Sequence, residues 1–410
     1  MTDSPGIRPV LLIYFQQFRG TGHRARMGRL ADVLSQDFEV VLLDGGPPEP
    51  RWPHVPGITL MPLTPLVRDA SGVIRPWQSG LLIEAAMAQR RHTLVNLAQR
   101  LKPRVLIVEF YPFGRLNLEV EIRALIEAVR VRRSDALVLS SVRDIVDTGF
   151  SDGVSDGQRS QAAMAARLRH FDGVLIHGER SLFAPGDPCR QTGFAGLELS
   201  AVPVEFTGFI GPKPQEAPPA EPGGTCRGTV LSMGGGIDGR PLAEAVLTAW
   251  PQLRSRADAA QLLPLRLYTG PYLPRQDHEA VRSMCAELQV ECRTFSEDYR
   301  HDLSRASLSI SRFGYNTCMD LLAAGVPAIV APAPTVIPND QTPRARLFQR
   351  LGRVTVAAAD RPEAILKAVD IALQGPRDFP AWRLDGAERT AAWIRERLAR
   401  KVSSERWRSA

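Results

Sequence analysis

Short runs of apolar residues alternate along this chain with stretches whose apolar residues recur every three or four positions, and few architectures accept that alternation. PVLLIYF is followed by HRARMGRLADVLSQ and FEVVLLDGG, and RVLIVEF by EVEIRALIEAVRVR and ALVLSSVRD. A short apolar run without polar alternation suits a strand covered on both faces, and helices with a 3.6-residue stripe supply the cover. The expectation is an α/β protein with parallel sheets flanked by helices. The pattern breaks at GPKPQEAPPAEPGGTCRG, dense in Pro and Gly, and restarts with GTVLSMGGG, LAEAVLTAW, LPLRLYTG, HEAVRSMCAEL, ASLSIS and RVTVAAA. A chain of 410 residues is also long for one core. Four segments are therefore expected: a first domain over 1–212, a linker over 213–227, a second domain over 228–385 and a C-terminal helix over 386–410. The terminal stretch has apolar and basic faces, which fits a surface helix, a membrane-surface contact or a clasp across the domains.

Composition removes several classes of function. Apolar residues make up 44% and charged residues 23%, the proportions of a globular protein. The five cysteines, Cys189, Cys226, Cys285, Cys292 and Cys318, are odd in number and form no C-x-x-C pair. Neither a disulfide framework nor a zinc site is expected, and a reducing cytoplasm fits. The start, MTDSPGIRPVLLIYF, has no basic region ahead of a long apolar stretch, and no segment approaches the ~18 apolar residues of a spanning helix. A net charge of +7 favours an anionic ligand or an acidic membrane surface. The basic residues are scattered and carry no zinc-finger, helix-turn-helix or aromatic ribonucleoprotein signature, so no nucleic-acid partner is expected. LTPLVRDASGVIRPW and LLIEAAMAQRRHTLVNLAQR mix apolar and basic residues; a lipid-phosphate or membrane contact and a face covered within the protein both explain them.

Three loops carry candidate chemistry. In FRGTGHRARMGRLADVL, directly after the first strand, Gly20 and Gly22 let backbone amides approach a ligand, and the following helix offers a positive dipole end to an anion. His23 at this turn is a candidate general base toward a hydroxyl, because imidazole titrates near neutrality; a surface histidine on a tight turn is the alternative. In VLSMGGGIDGRPLAEAVL, Gly234, Gly235 and Gly236 with the Ser232 hydroxyl form either a phosphate or sugar cradle or only a flexible turn, and the absent Gly-Lys-Ser/Thr ending disfavours a P-loop. In SRFGYNTCMDLLAAGVP, a helix is expected over Tyr315–Ala324, closed by Gly325. Its N-terminus at Gly314 suits phosphate, and Asn316 and Asp320 share one face. From Gly314 to Asp320 the rise is about 9 Å, close to the span from a nucleotide's diphosphate to its ribose diol. Asp320 is thus either a ribose ligand or an exposed helix carboxylate. Asn339, Asp340 and Gln341 follow at the end of the next strand, where α/β ligands bind.

These residues also carry a resemblance. G-Y-N-T-C-M-D-L-L-A-A-G-V-P with N-D-Q-T-P-R-A resembles the C-terminal donor domain of GT-B glycosyltransferases, especially those related to the bacterial cell-wall enzyme that adds N-acetylglucosamine to a lipid intermediate. The wider set G-T-G-H-R-A-R, V-E-F-Y-P-F-G-R, S-V-R-D, V-L-I-H-G-E, F-T-G-F and S-M-G-G-G is similar to a bacterial family of predicted glycosyltransferases, over residues 10 to 355. The resemblance implies two Rossmann-like domains with parallel sheets facing an interdomain cleft, an acceptor on the first and a nucleotide-sugar on the second. It implies donor contacts from Arg312, Gly314, Asn316 and Thr317, a ribose contact from Asp320, where relatives commonly carry Glu, and sugar contacts from Asp340 and Gln341. His23 matches the glycine-loop histidine. Glu109 is a catalytic base, an orienting partner of His23 or a structural carboxylate, while Arg115, Arg143 with Asp144, and His177 are candidate cleft residues.

The expected reaction is inverting transfer of a sugar from a nucleotide diphosphate, uridine being the implied base, to a hydroxyl on a glycan, lipid or small molecule. No metal or resident cofactor is expected, the nucleotide-sugar being a co-substrate. The expected location is the cytoplasm, with peripheral contact at the inner face of the membrane as the alternative. Sugar-nucleotide epimerases and hydrolases share the architecture, and a noncatalytic nucleotide-sugar sensor is the rival from another class.

Overall fold

The computed structural model describes residues 8–18, 22–48, 55–69, 72–145, 161–183, 202–213, 227–294, 298–333, 340–375 and 382–408. Gly20, Asn339, Cys189, Cys226 and most of the expected linker lie outside this set. The chain forms two compact units: residues 1–210 with 385–410, and residues 211–384.

The first unit holds a seven-stranded sheet: β1 (Val10–Phe15), β2 (Glu39–Asp44), β3 (Ile58–Pro62), β6 (Val105–Glu109), β7 (Leu137–Arg143), β8 (Gly173–His177) and β9 (Val204–Phe206), in the order β3-β2-β1-β6-β7-β8-β9. All six pairings are parallel. A small antiparallel hairpin of β4 (Leu66–Arg68) and β5 (Ile74–Pro76) intervenes. The helices are α1 (Gly22–Leu34), α2 (Ile83–Leu101), α3 (Glu119–Arg132), α4 (Gln161–Leu168) and the terminal α12 (Gly386–Arg408).

Side chains alternate across a strand, and β1 shows the consequence. Leu12 and Tyr14 enter one core with Leu94, Leu97, Ile122 and Leu125 of α2 and α3, while Leu11, Ile13 and Phe15 enter another with Met27 and Leu30 of α1 and Trp393 and Ile394 of α12. The apolar face of α12 is thus part of this unit's core, where burying a large apolar side chain contributes about 1.5–3 kcal/mol. Gly173 makes room for it, since a Cβ there would sit 2.9 Å from Trp393 Cη2. On α2 the face bearing Ala86, Arg90, Leu94, Leu97 and Ala98 is buried, so this part of the mixed apolar and basic stretch is a covered face. Arg90 is held by Glu121 at 2.6 Å, which also receives the Tyr14 hydroxyl at 2.5 Å.

The second unit holds a six-stranded parallel sheet: β10 (Thr229–Ser232), β11 (Leu265–Tyr268), β12 (Glu291–Arg293), β13 (Leu308–Ser311), β14 (Ala328–Val330) and β15 (Thr355–Val356), ordered β12-β11-β10-β13-β14-β15. Its helices are α5 (Arg240–Arg254), α6 (Ala259–Leu262), α7 (Arg275–Glu287), α8 (Tyr299–Arg305), α9 (Tyr315–Ala324), α10 (Gln341–Arg350) and α11 (Pro362–Gln374). Its core gathers Leu231, Ile310 and Ile329 from the sheet with Val246 and Trp250 of α5 and Ile365 and Val369 of α11. In each unit the strand order runs outward from a central strand and then reverses. Ligands of open α/β sheets bind at that reversal, beyond the carboxyl ends of the strands.

Candidate functional site

In the first unit the reversal lies between β1 and β6. Because α1 begins at Gly22, His23 falls in its first turn and Arg26 lies three residues on, on the same face. Glu109 ends β6 and is wholly buried. It accepts a hydrogen bond from His23 Nδ1 at 2.5 Å and another from Arg26 Nη2. With Nδ1 donating, Nε2 carries the imidazole lone pair. Arg115 Nη2 donates to that Nε2 at 3.2 Å and to the Gln16 carbonyl at 2.9 Å.

The electrostatics separate the two members of this pair. Burial alone would raise the Glu109 carboxyl, but His23 and Arg26 together hold it well below the usual carboxylate range. Burial pushes the imidazole down to about 4; Glu109 acts in the opposite sense, and Arg115 and Arg143 add to the lowering. At neutral pH the site therefore holds an ionised carboxylate and a neutral imidazole in one fixed tautomer. His23, with a side chain 13% exposed, can receive a proton at Nε2, whereas Glu109 is sealed off and ion-paired. Of its three alternatives, orientation of His23 fits Glu109 and direct proton abstraction does not.

The turn after β6 is strained. Phe110 and Arg115 have φ of 70° and 62°, left-handed values that cost a non-glycine residue of order 1–3 kcal/mol each. Gly114 is needed between them, because a Cβ there would lie 2.4 Å from the Phe110 ring. The result is a row of cations and rings beside His23. Arg68 and Arg115 each lie 5.0 Å from the Phe18 ring centre; Arg115 and Arg143 lie 5.6 and 5.1 Å from that of Phe110. Gly22 is exposed at the helix start, and Asp144 is buried.

His177 is a correction. Expected as a cleft residue, it is fully buried, with Nε2 at 2.8 Å from Ser141 Oγ and Nδ1 at 2.8 Å from Thr207 Oγ1. Burial holds it well below the ordinary imidazole value, with Arg26 adding to the effect. It ties β7 and β8 to the segment after β9. A histidine ending an apolar strand presented the same sequence pattern in either role.

In the second unit the reversal lies between β10 and β13. The glycine run forms a tight turn rather than an open cradle. The Gly234 amide donates to Ser232 Oγ at 3.3 Å and that of Gly236 to the Met233 carbonyl at 3.2 Å, so two of the three amides are committed internally. Gly234 and Gly236 have φ of 61° and 97°, and Tyr272 N–H donates to the Gly235 carbonyl at 2.9 Å. Arg312, expected to contact donor, is a brace instead. Its buried guanidinium donates to the carbonyls of Ala331 at 3.0 Å, Pro332 at 3.3 Å and Asp238, tying the glycine turn to the segment after β14.

Helix α9 spans Tyr315–Ala324 and closes on Gly325 in the left-handed region, as the residue pattern required. Gly314 caps its N-terminus, and a Cβ there would meet nothing within 4 Å. Asn316 and Thr317 are half-buried in its first turn. Asp320 is 7% exposed, which removes the exposed-carboxylate alternative; Arg300 Nε of α8 lies 3.1 Å from its Oδ1. Asp340 precedes α10, with Oδ2 held at 2.6 Å by the buried Arg344. Gln341 Oε1 accepts from the Phe313 amide at 3.2 Å and the Ala333 amide at 3.3 Å, which fixes its orientation. Arg26, Arg68, Arg300 and Arg344 escaped the sequence reading. Only two left a local trace, Arg26 three residues after His23 and Arg344 four after Asp340.

Two Rossmann-like units, each with polar groups gathered at the reversal of its strand order, make the GT-B class of fold. Residues 229–380, within the second unit, match the glycosyltransferase family 28 C-terminal domain. A UDP-N-acetylglucosamine--N-acetylmuramyl-(pentapeptide) pyrophosphoryl-undecaprenol N-acetylglucosamine transferase of Rhodopseudomonas palustris is 29% identical over 254 residues, which cover 55% of this chain and 65% of that protein. The chain thus spans less than two thirds of the length of such curated relatives. Among solved structures, MurG of Acinetobacter baumannii is similar at a TM-score of 0.53 and 17% identity, over 95% of this chain and 100% of that one. A putative UDP-N-acetylglucosamine 2-epimerase of Listeria monocytogenes is similar at 0.55 and 12%, over 96% and 97%. At those identities the structural likeness speaks for the fold alone.

Proposed function

We propose that the chain is a glycosyltransferase that moves a sugar from a nucleotide diphosphate, uridine being the base that similar proteins' names carry, to an acceptor hydroxyl. The observation that carries this reading is the family 28 match over the unit that bears Gly314, Asp320 and Gln341. His23 Nε2 takes the proton from the acceptor hydroxyl, and Glu109 keeps Nδ1–H directed away and stabilises the imidazolium that forms. The hydroxyl oxygen attacks the anomeric carbon while the bond to the diphosphate breaks, its electron pair leaving with the phosphate oxygen; a single displacement inverts the centre. The N-terminus of α9 stabilises the departing charge through backbone amides and its dipole, a role that in this reading falls to no metal or resident cofactor. Asp320 receives the ribose hydroxyls, while Asp340 and Gln341, braced by Arg344 and backbone amides, receive the sugar.

The acceptor is assigned by class only: a hydroxyl on a glycan, a small molecule or a lipid-linked intermediate. Val73, Trp77 and Leu82 are exposed around β5 and the start of α2, with the Arg75 side chain 63% exposed among them. Exposed apolar side chains of this kind suit shallow contact with a bilayer, with Arg75 paired to Asp69 at 2.6 Å. Among the described residues no helix is long and apolar enough to cross a membrane. The reading includes a cytoplasmic location with peripheral contact at the inner membrane face, which these exposed side chains support.

Nucleotide release from a panel of nucleotide diphosphate sugars, with and without hydroxyl acceptors and with Asp320→Ala alongside, tests the reading. Donor binding that depends on Asp320, with release only in the presence of acceptor, is expected. Release of free sugar without acceptor would replace transfer by hydrolysis, and interconversion of two nucleotide-sugars would replace it by epimerisation. Binding without turnover under every acceptor would leave a sensor.

A further inference from the structure

Two thiols meet at the edge of the second unit's core, although no C-x-x-C pair marks them in the sequence. Cys285 lies on the buried face of α7 with Val281. Cys292 is the middle residue of β12, and its register partner on β11 is the buried Leu267. Both side chains pack into one apolar cluster, Cys285 within it at 1% exposure and Cys292 half-buried against it. The Cys285 thiol donates a hydrogen bond to the Cys292 sulfur. The connection between them is short and fixed. The Val290 amide donates to the Cys285 carbonyl at 2.8 Å, and that of Gln289, with φ of 57°, to the Ala286 carbonyl at 3.2 Å. A second tie follows, since His278 Nε2 of α7 lies 3.0 Å from Thr294 Oγ1. The surroundings make the two thiols unequal. The hydrogen bond from Cys285 and the positive charge of Arg282, three residues before it on α7, hold the Cys292 thiol below its ordinary value against the opposing effect of burial. The same hydrogen bond, with burial, pushes Cys285 up. The thiolate is the reactive form, so the half-buried Cys292 is the nucleophile and the buried Cys285 its partner. A thiol of low proton affinity within reach of solvent, beside a second thiol, is the arrangement of cysteines that oxidise reversibly. In a reducing compartment such bonds are transient rather than structural.

We propose that Cys292 is an oxidation site and Cys285 its resolving partner, the two forming a reversible disulfide between β12 and α7. With hydrogen peroxide as the oxidant, the Cys292 thiolate attacks one peroxide oxygen, the O–O bond breaks and hydroxide leaves, giving a sulfenic acid. The Cys285 sulfur then attacks the Cys292 sulfur, the S–O bond breaks, and the hydroxyl leaves as water with the Cys285 proton. The hydroxide of the first step takes up the proton released by Cys292, so two thiols and one peroxide become one disulfide and two waters. A dithiol reverses the bond by exchange and is itself oxidised to a disulfide. β12 is an edge strand, and beyond Cys292 the carbonyls of Arg293 and Thr294 receive the amides of Thr269 at 2.9 Å and Gly270 at 3.0 Å. The disulfide thus fastens this edge of the sheet to α7. The site is independent of the proposed transfer chemistry.

The test exposes the folded full chain to hydrogen peroxide, then unfolds it, alkylates it and digests it with trypsin, which releases residues 283–293 as one peptide carrying both thiols. In the native protein this peptide is expected to lose two hydrogens and to take up no alkylating reagent, and dithiothreitol added before alkylation is expected to restore both thiols. In Cys285→Ser the sulfenic acid has no partner, so dimedone, which captures sulfenic acids, is expected to label Cys292. In Cys292→Ser the buried Cys285 is expected to stay reduced and unlabelled. If either variant does not fold, the native peptide alone decides. Full alkylation of residues 283–293 after every peroxide dose that leaves the protein folded would overturn the proposal. So would a bond from either thiol to Cys189, Cys226 or Cys318 in place of the internal one, or closure at the same rate in the urea-unfolded chain, where the fold no longer brings the thiols together.

Discussion

Replacing Glu109 by Gln keeps the size and planarity of the side chain and removes one charge from a site with little means of compensation. Glu109 is 0% exposed and Arg26 2%, so the substitution leaves a guanidinium buried without its carboxylate. Breaking a buried pair from one side costs about 3–5 kcal/mol. Spread over a denaturant dependence of about 3 kcal/mol per molar urea, the loss moves the unfolding midpoint of the first unit down by about 1–1.7 M. The second unit contains neither residue, so its transition serves as an internal reference, followed through Trp250 while Trp393 reports the first unit. In the proposed mechanism the same change removes the charge that stabilises the His23 imidazolium, and turnover is expected to fall by about two to four orders of magnitude, the range for losing general-base function. Adding Arg26→Met should restore part of the stability, because it removes the stranded cation, but not the turnover. A Glu109→Gln protein within about 0.5 kcal/mol of native, or a double variant less stable than the single one, would refute the argument that this carboxylate is bound into the fold by Arg26.

The folded imidazole of His23 titrates near 4 and an unfolded one near 6.5. The unfolded chain therefore binds the extra proton between those values, and stability rises with pH through that window, by about 3 kcal/mol, and is fully present above about 6.5. Urea unfolding at pH 5 and pH 7 should show about 2 kcal/mol of it, and His23→Gln should remove that difference; the depressed Glu109 carboxyl also loses its contribution as pH falls, but below about 4.5, outside the comparison. Gly270→Ala is expected to destabilise the second unit by about 2 kcal/mol or more, since φ is +79° and the new Cβ would lie 2.2 Å from the Gly234 carbonyl oxygen. Gly314→Ala, with φ of −67° and open space at the Cβ, should leave the melting temperature unchanged while calorimetry shows weakened donor binding, because the methyl group stands at the helix start. Arg344→Met should lower donor affinity by roughly ten- to a hundredfold, the worth of about 1.5–3 kcal/mol for a hydrogen bond to a charged group, by releasing Asp340; unchanged calorimetric affinity would remove Asp340 from the donor site.

What was legible in the residues is what depends on neighbours along the chain. The apolar runs and helical stripes are local patterns, and they specified parallel α/β units because only strands buried on both faces read that way. Tyr315–Ala324 was legible as a helix because Gly314 and Gly325 bound it. Candidate residues were legible where one element carries them, as with His23 at the start of α1 and Asp320 one turn into α9. The remainder is set by side chains that meet across long separations, where the sequence between them holds no record of the encounter. Glu109 could be base, orienter or structural group until burial and Arg26, 83 positions away, excluded the first. His177 and Arg312 look the same in sequence whether they face ligand or interior, and burial decided both toward structure. The terminal helix illustrates the same division: its amphipathic pattern required a cover, but only packing of Trp393 and Ile394 against β1 and α1 decided that the first unit's core supplies it. Local periodicity thus determined the elements and the sheet edges where ligands bind, while tertiary structure decided the charge states and loop braces there, because long-range packing creates both the desolvation and the partners on which they depend.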